Sequence, residues 1–290
     1  MTILLALASS LLWGTADFFG GKTSRRVLAL LVVLISQAAG LVTVLLVAVA
    51  SGSLRAPVGY LPWAIGAGLA GASAVVLFYR ALAIGTMGVA APLASLGVIV
   101  PVVIGLFGGS LPSVLCLAGI VVAIGGVVTT AGPRKSAART SGHARSVVLA
   151  IGAAAGFGLL QFAISGGSKY SVVMTMVAMR GTSVPVLAVI TLITLRAQPR
   201  QAARARSRTG LDPRLAGLIA VIGIFDVSAN LLFGLATVSG SLAIVAVLGS
   251  LYPAATVLLA RVVDGERMSR VQNVGVLAAL AGVTMIAAGS

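Results

Sequence analysis

The chain has 290 residues, 59% of them hydrophobic and 9% charged, with a mean hydropathy of +1.14. A soluble domain carries about 25% charged residues, and so few charges cannot cover a water-exposed surface, whereas lipid covers surplus apolar area. The net charge of +15 falls mainly in short gaps between apolar runs, which points to loop charge that orients the chain in a bilayer and away from nucleic acid.

A membrane helix needs about 20 mostly apolar residues. Ten such runs follow in chain order: 2–20, 28–50, 60–82, 87–108, 112–131, 147–166, 171–195, 215–236, 240–261 and 271–288. They are continuous, not alternating as β-barrel strands would be. The expected fold is therefore an all-α integral membrane protein with ten transmembrane helices. The first run is long enough to span, and it is read as a membrane helix and not as a cleavable signal.

The gaps after the first, fifth, seventh and ninth runs hold most of the basic residues. Lys22, Arg25 and Arg26 follow the first, and Arg134, Lys135, Arg139 and Arg145 the fifth. Arg196, Arg200, Arg204, Arg206, Arg208 and Arg214 follow the seventh, and Arg261, Arg267 and Arg270 flank the end of the ninth. The alternate gaps hold Arg55 and Lys169. Charge bias thus places the odd-numbered loops in the cytoplasm of a plasma (inner) membrane, with both termini outside.

The chain repeats itself. GVAAPLASLGVIVP (Gly88–Pro101) and GSLAIVAVLGSLYP (Gly240–Pro253) both fit G-x-x-A-x-x-A-x-L-G-x-x-x-P without a gap. Trp13-Gly14-x-x-Asp17-Phe18 aligns more weakly with Phe157-Gly158-x-x-Gln161-Phe162. Residues 1–131 read as a first five-helix repeat, 132–146 as a basic linker, and 147–290 as a second repeat. An odd number of helices per copy makes the copies inverted, the arrangement of many secondary transporters, with the substrate site near the midplane. Gly88 and Gly97, with Gly240 and Gly249, give small-residue stripes for close helix packing. Pro101 and Pro253 remove a backbone hydrogen bond and predict kinks. Bent helices lining a path and tight packing alone both fit these residues.

Together, LLWGTADFFGG (11–21), FYRALAIGTMGVAAPLASLGVIVP (78–101) and the segment from LAIVAVLGSLYP to MIAAG (242–289) carry a resemblance over nearly the whole chain. The sequence resembles the drug/metabolite transporter superfamily, in particular the EamA-type ten-helix exporters. The resemblance implies paired five-helix repeats, a central cavity bounded by helices 1, 3, 4, 6, 8 and 9, and export of amino acids, drugs or other metabolites. Two features depart from it. GGSLP (108–112) lacks the acidic residue present in DGERMS (264–269). Family members are drawn with cytoplasmic termini, opposite to the charge bias here.

Ionisable groups within the hydrocarbon are costly and tend to face a cavity or a partner. Asp226 lies mid-run in GIFDVSANLLF, with Asn230 on the same face. It reads as a substrate contact or protonation site, or as an interhelical lock. Arg180, matched by Gln37 in the repeat, can pair with Asp226 or meet an anionic group. Asp17, on one face with Trp13 and Ser10, is a candidate for the cavity mouth or for an ion pair with Arg25 or Arg26; Gln161 is its repeat counterpart. Arg80 is a further candidate contact, or snorkels to the headgroups. Tyr60, Trp63 and Tyr79 are expected in aromatic belts. Glu266, Arg267, Asp264 and Arg270 form a charged loop cluster.

Gly66-Ala-Gly68-Leu-Ala-Gly71 matches G-x-G-x-x-G, but it lies inside an apolar run with no preceding strand, so helix packing explains it. With one cysteine (Cys116), one histidine (His143) and no P-loop, neither metal, other cofactor nor nucleotide chemistry is expected. The expected function is that of a secondary transporter in a lipid bilayer, carrying a small organic solute by alternating access, either proton-coupled or passive. A lipid-head-group flippase and a non-transporting receptor or assembly factor are the alternatives. Monomer and homodimer are both left open.

Overall fold

The computed structural model describes residues 1–100, 113–131, 141–197, 212–240, 242–265 and 269–289. Among these, every regular element is helical: α1 (Thr2–Ser24), α2 (Ala29–Ala50), α3 (Leu61–Ile84), α4 (Met87–Ala94), α5 (Val114–Ala131), α6 (Ser141–Ser168), α7 (Val172–Ala197), α8 (Pro213–Ser239), α9 (Leu242–Gly249), α10 (Tyr252–Asp264) and α11 (Arg270–Ala288). Six of them, α1, α2, α3, α6, α7 and α8, are long and apolar enough to cross a membrane. Their outward faces carry exposed aliphatics such as Leu4, Leu46, Ile193 and Leu235, as a lipid-facing surface requires.

The fourth and ninth runs are not single α-helices. Pro92, inside α4, supplies no N–H to the ladder. The α-helix gives way to a 3-10 turn over Ser95–Val98, and Ser95 Oγ donates to the Pro92 carbonyl at 2.8 Å. In the ninth run the chain turns through Ser250 and Leu251, and Pro253 opens α10 at a position where its missing N–H costs nothing. Under the Gly88/Gly240 alignment the turn at Ser250 and Leu251 falls opposite Val98 and Ile99, so the two interruptions overlap only at the C-terminal edge of the 3-10 turn. Pro101, expected as the kink of the fourth run, lies outside the described residues.

The helix edges follow local chemistry. Asp212 caps α8, accepting from the Arg214 N–H at 3.2 Å, and Pro213 follows it. Gly265 closes α10 with φ 63°, a left-handed position that suits glycine. Helix α6 begins at Ser141, inside the stretch expected as linker. Ser146 there donates to the Ala81 carbonyl at 2.9 Å, docking the start of α6 on the end of α3.

Packing follows from close backbone approach. α1 lies along α8 and α3 along α6; α2 meets α8 and α7, and α3 also meets α7; α5 pairs with α11. Exchanging α1 with α6, α2 with α7 and α3 with α8 maps each of the first four contacts onto another or onto itself. The glycines obey the same exchange. A Cβ on Gly68 would meet the Met179 carbonyl at 2.6 Å, and one on Gly223 would run into the Ser36 backbone. Gly97 behaves alike, within 2.5 Å of the Ala154 carbonyl, whereas Gly249 faces the Phe233 and Trp13 rings at 3.3 and 3.4 Å. Gly240 abuts Thr2, and Gly88 is buried in α4.

Candidate functional site

At mid-length of these helices lies a cavity of about 560 Å³, counting the space open at its mouth. Trp13 and Asp17 of α1 reach it one helical turn apart, as do Phe157 and Gln161 of α6 and Asp226 and Asn230 of α8. Gln37 comes from α2, and Met179, Arg180 and Ser183 come from α7. Ala67, Gly68, Gly71, Ala72 and Val75 form the α3 wall, and Leu160 and Tyr252 complete the lining. Trp13, Asp17, Gln37, Gln161, Arg180, Asp226 and Asn230, all singled out in the sequence, line this cavity together.

Arg180 is 3% exposed and organises one side. Its guanidinium is ion-paired with Asp226 and donates to Gln37 Oε1. Ser183 Oγ donates to the same Gln37 oxygen at 2.9 Å. Asn230 Nδ2 donates to the Asp226 carbonyl at 2.6 Å and stands 3.4 Å from its Oδ1. Both readings of Asp226 therefore meet in one place, since it is a lock to α7 and a cavity wall at once.

Other groups remain unsatisfied. Gln161 Oε1, Arg180 Nε, Asn230 Oδ1 and the Tyr252 hydroxyl are buried without a hydrogen-bond partner among the described residues. Asp17 is 8% exposed, and among the described residues no hydrogen bond or ion pair holds its carboxyl group there. Buried polar groups are ordinarily paired, and four of the seven unpaired buried atoms among the described residues lie on this one cavity. Aromatic rings stand against it. Trp13 lies 6.5 Å from Tyr252, and Phe157 lies 6.4 Å from Tyr252 and 5.5 Å from Phe78, centroid to centroid.

Several expected residues stand elsewhere. Arg80 is exposed and does not line the cavity. Arg25 is not paired to Asp17: Lys22 and Arg25 both bridge to Asp264, Arg25 at 3.6 Å, tying the end of α1 to the end of α10. Glu266 and Arg267 lie outside the described residues. Tyr79 is not a belt residue. It is 2% exposed because Gly20 leaves room for its ring, and its hydroxyl reaches the Ala16 carbonyl at 3.4 Å. Tyr60 is also buried, and Trp63 packs on Phe162 at 5.6 Å. Cavity side chains that sequence reasoning passed over include Tyr252, Ser183 and Phe157. Tyr252 had a signal, since it sits beside the repeated proline. The resemblance implied helices 4 and 9 as walls beside 1, 3, 6 and 8. Here α2 and α7 contribute instead of any described residue of the fourth run.

The EamA-like transporter family profile matches residues 144–288. The chain belongs to the EamA-like transporter family. As an EamA-like protein it is a multi-pass membrane transporter of the drug/metabolite type. Among solved structures, a crystal structure of another protein superposes with a TM-score of 0.61 over 98% of this chain and 95% of that one. At 18% identity that likeness speaks for the fold alone. No curated protein matches the chain.

Proposed function

We propose that this EamA-like protein is a secondary transporter that exports a small organic solute by alternating access between its two halves. The observation that carries the reading is a buried, partly unsatisfied polar cavity whose walls come from α1, α2 and α3 of the first half and α6, α7 and α8 of the second, with Tyr252 of α10. Two halves with exchangeable packing have two arrangements of comparable energy, and rocking between them exposes the cavity to each face in turn. Ten crossings in two inverted five-helix repeats are the topology this requires, and the packing preserved on exchanging α1 with α6, α2 with α7 and α3 with α8 favours it. The basic odd-numbered loops then face the cytoplasm of a plasma membrane, with Asp17 and Asp226 as the groups able to carry a proton.

A flippase needs a basic, laterally open path for headgroup phosphates. The cation lining this cavity, Arg180, is already neutralised by Asp226, which favours a solute carrier. The test is release from proteoliposomes loaded with a mixture of organic cations, amino acids and carboxylates, read by mass spectrometry. At least one class should leave faster than from empty vesicles, and the flux should collapse in Asp226→Asn. Equal leakage with and without protein would sink the transport reading.

A further inference from the structure

We infer that the cavity recognises a small organic monocation, an ammonium group on an apolar or aromatic body, with Asp17 as its counter-charge. This deepens the transport reading and rests on it for the cavity's role. Three formally charged side chains line the cavity: Asp17, Arg180 and Asp226. Arg180 and Asp226 satisfy one another, which leaves the Asp17 carboxyl as the acidic group without a charged partner among the described lining residues. A carboxylate buried there demands a partner, and a cationic guest supplies one.

The polar atoms left over have the same bias. Gln161 Oε1 and Asn230 Oδ1 accept hydrogen bonds and the Tyr252 hydroxyl accepts or donates one, against Arg180 Nε as an unused donor of a guanidinium already engaged on two sides. An acceptor-rich wall suits the N–H groups of an ammonium. The rings of Trp13, Phe157 and Tyr252, which also line the cavity, offer π-faces that attract cations and apolar area for the body of the ligand. A carboxylate ligand meets the opposite situation. It would find only the Nε of a guanidinium whose charge Asp226 already balances, and it would sit in the same cavity as Asp17. A zwitterion satisfies Asp17 with one end and brings a second carboxylate to that balanced pair with the other.

Calorimetric titration of the detergent-purified protein compares three probes with a common phenyl body: phenethylammonium, phenylalanine and 3-phenylpropionate. Phenethylammonium should bind at least about tenfold tighter than the other two. Asp17→Asn should remove that preference and Asp17→Glu should keep part of it, with gel filtration and circular dichroism showing each variant folded. A purely structural role for Asp17 would weaken all probes alike. Tighter binding of the carboxylate or the zwitterion overturns the inference, as does an unaltered phenethylammonium affinity in Asp17→Asn or no binding of it by folded wild type. The liposome experiment separates the two readings. Flux of carboxylates without cations fails the cation assignment and keeps the transporter. Asp17-dependent cation binding without flux of any class does the reverse.

Discussion

Helices α3 and α8 occupy exchangeable places in the bundle and face the cavity with opposite chemistry. Each makes its closest crossing at a glycine, Gly68 against the Met179 carbonyl and Gly223 against the Ser36 backbone. Three residues further on, α3 has Gly71 where α8 has Asp226; seven further on, it has Val75 where α8 has Asn230. The backbone packing is common to the halves because small residues at a crossing depend only on main-chain shape. The chemistry is not common, because one guest needs one set of contacts. The α8 wall holds the Arg180 lock, and the α3 wall supplies smooth apolar area.

The largest expected effect comes from breaking the lock. Arg180→Gln leaves Asp226 facing the cavity without its partner and should cost about 3–5 kcal/mol, read by denaturant unfolding in micelles. Asp226→Asn strands Arg180 in the same way. The double variant should cost less than the two singles together, a coupling that a double-mutant cycle measures. Strict additivity would show that the lock is not an energetic unit.

The shared crossings give the next effect. Gly223→Ala and Gly68→Ala each push a Cβ into the backbone of a neighbouring helix and should each cost about 1–3 kcal/mol. A large cost at one and none at the other would break the equivalence of the halves. Gly66→Ala is the control on α3. Nothing lies within 4 Å of its Cβ direction, so the variant should gain a few tenths of a kcal/mol, up to about 1, from helix propensity.

The smallest effect belongs to a feature that the first repeat lacks. Lys22 and Arg25 bridge α1 to Asp264, and the pair is partly open to water. Lys22→Ala should change stability by no more than about 1 kcal/mol and lose even that in high salt. Its larger consequence should be kinetic. If the two halves separate at this end during transport, faster solute release by Lys22→Ala is the expected result, and an unchanged rate places the moving contact elsewhere.

Much of the site was legible because charge and polarity are rare in this chain. Asp17, Gln37, Gln161, Arg180, Asp226 and Asn230 stand out in apolar runs, and hydrocarbon cannot host them alone. Their gathering in one cavity is what that cost predicts. Arg80 and Tyr79 were less legible, because each lies near a helix end where headgroups, cavity and core are all within reach. The choice fell to the neighbours: Gly20 made room for the Tyr79 ring, while Arg80 was left exposed. The helix breaks were half-legible. Proline marks where a ladder bond is missing, but whether a helix bends or stops depends on what packs beside it.

By itself, the sequence determined the solvent, the helical class, the internal repetition and the short roster of polar residues, because each follows from the free energy of placing side chains and peptide groups in hydrocarbon. The tertiary structure decided the pairings. Asp226 rather than Asp17 took Arg180, Asp264 took Lys22 and Arg25, and Asp17 was left facing the cavity, since these outcomes turn on the distances and rotations between helices far apart in the chain.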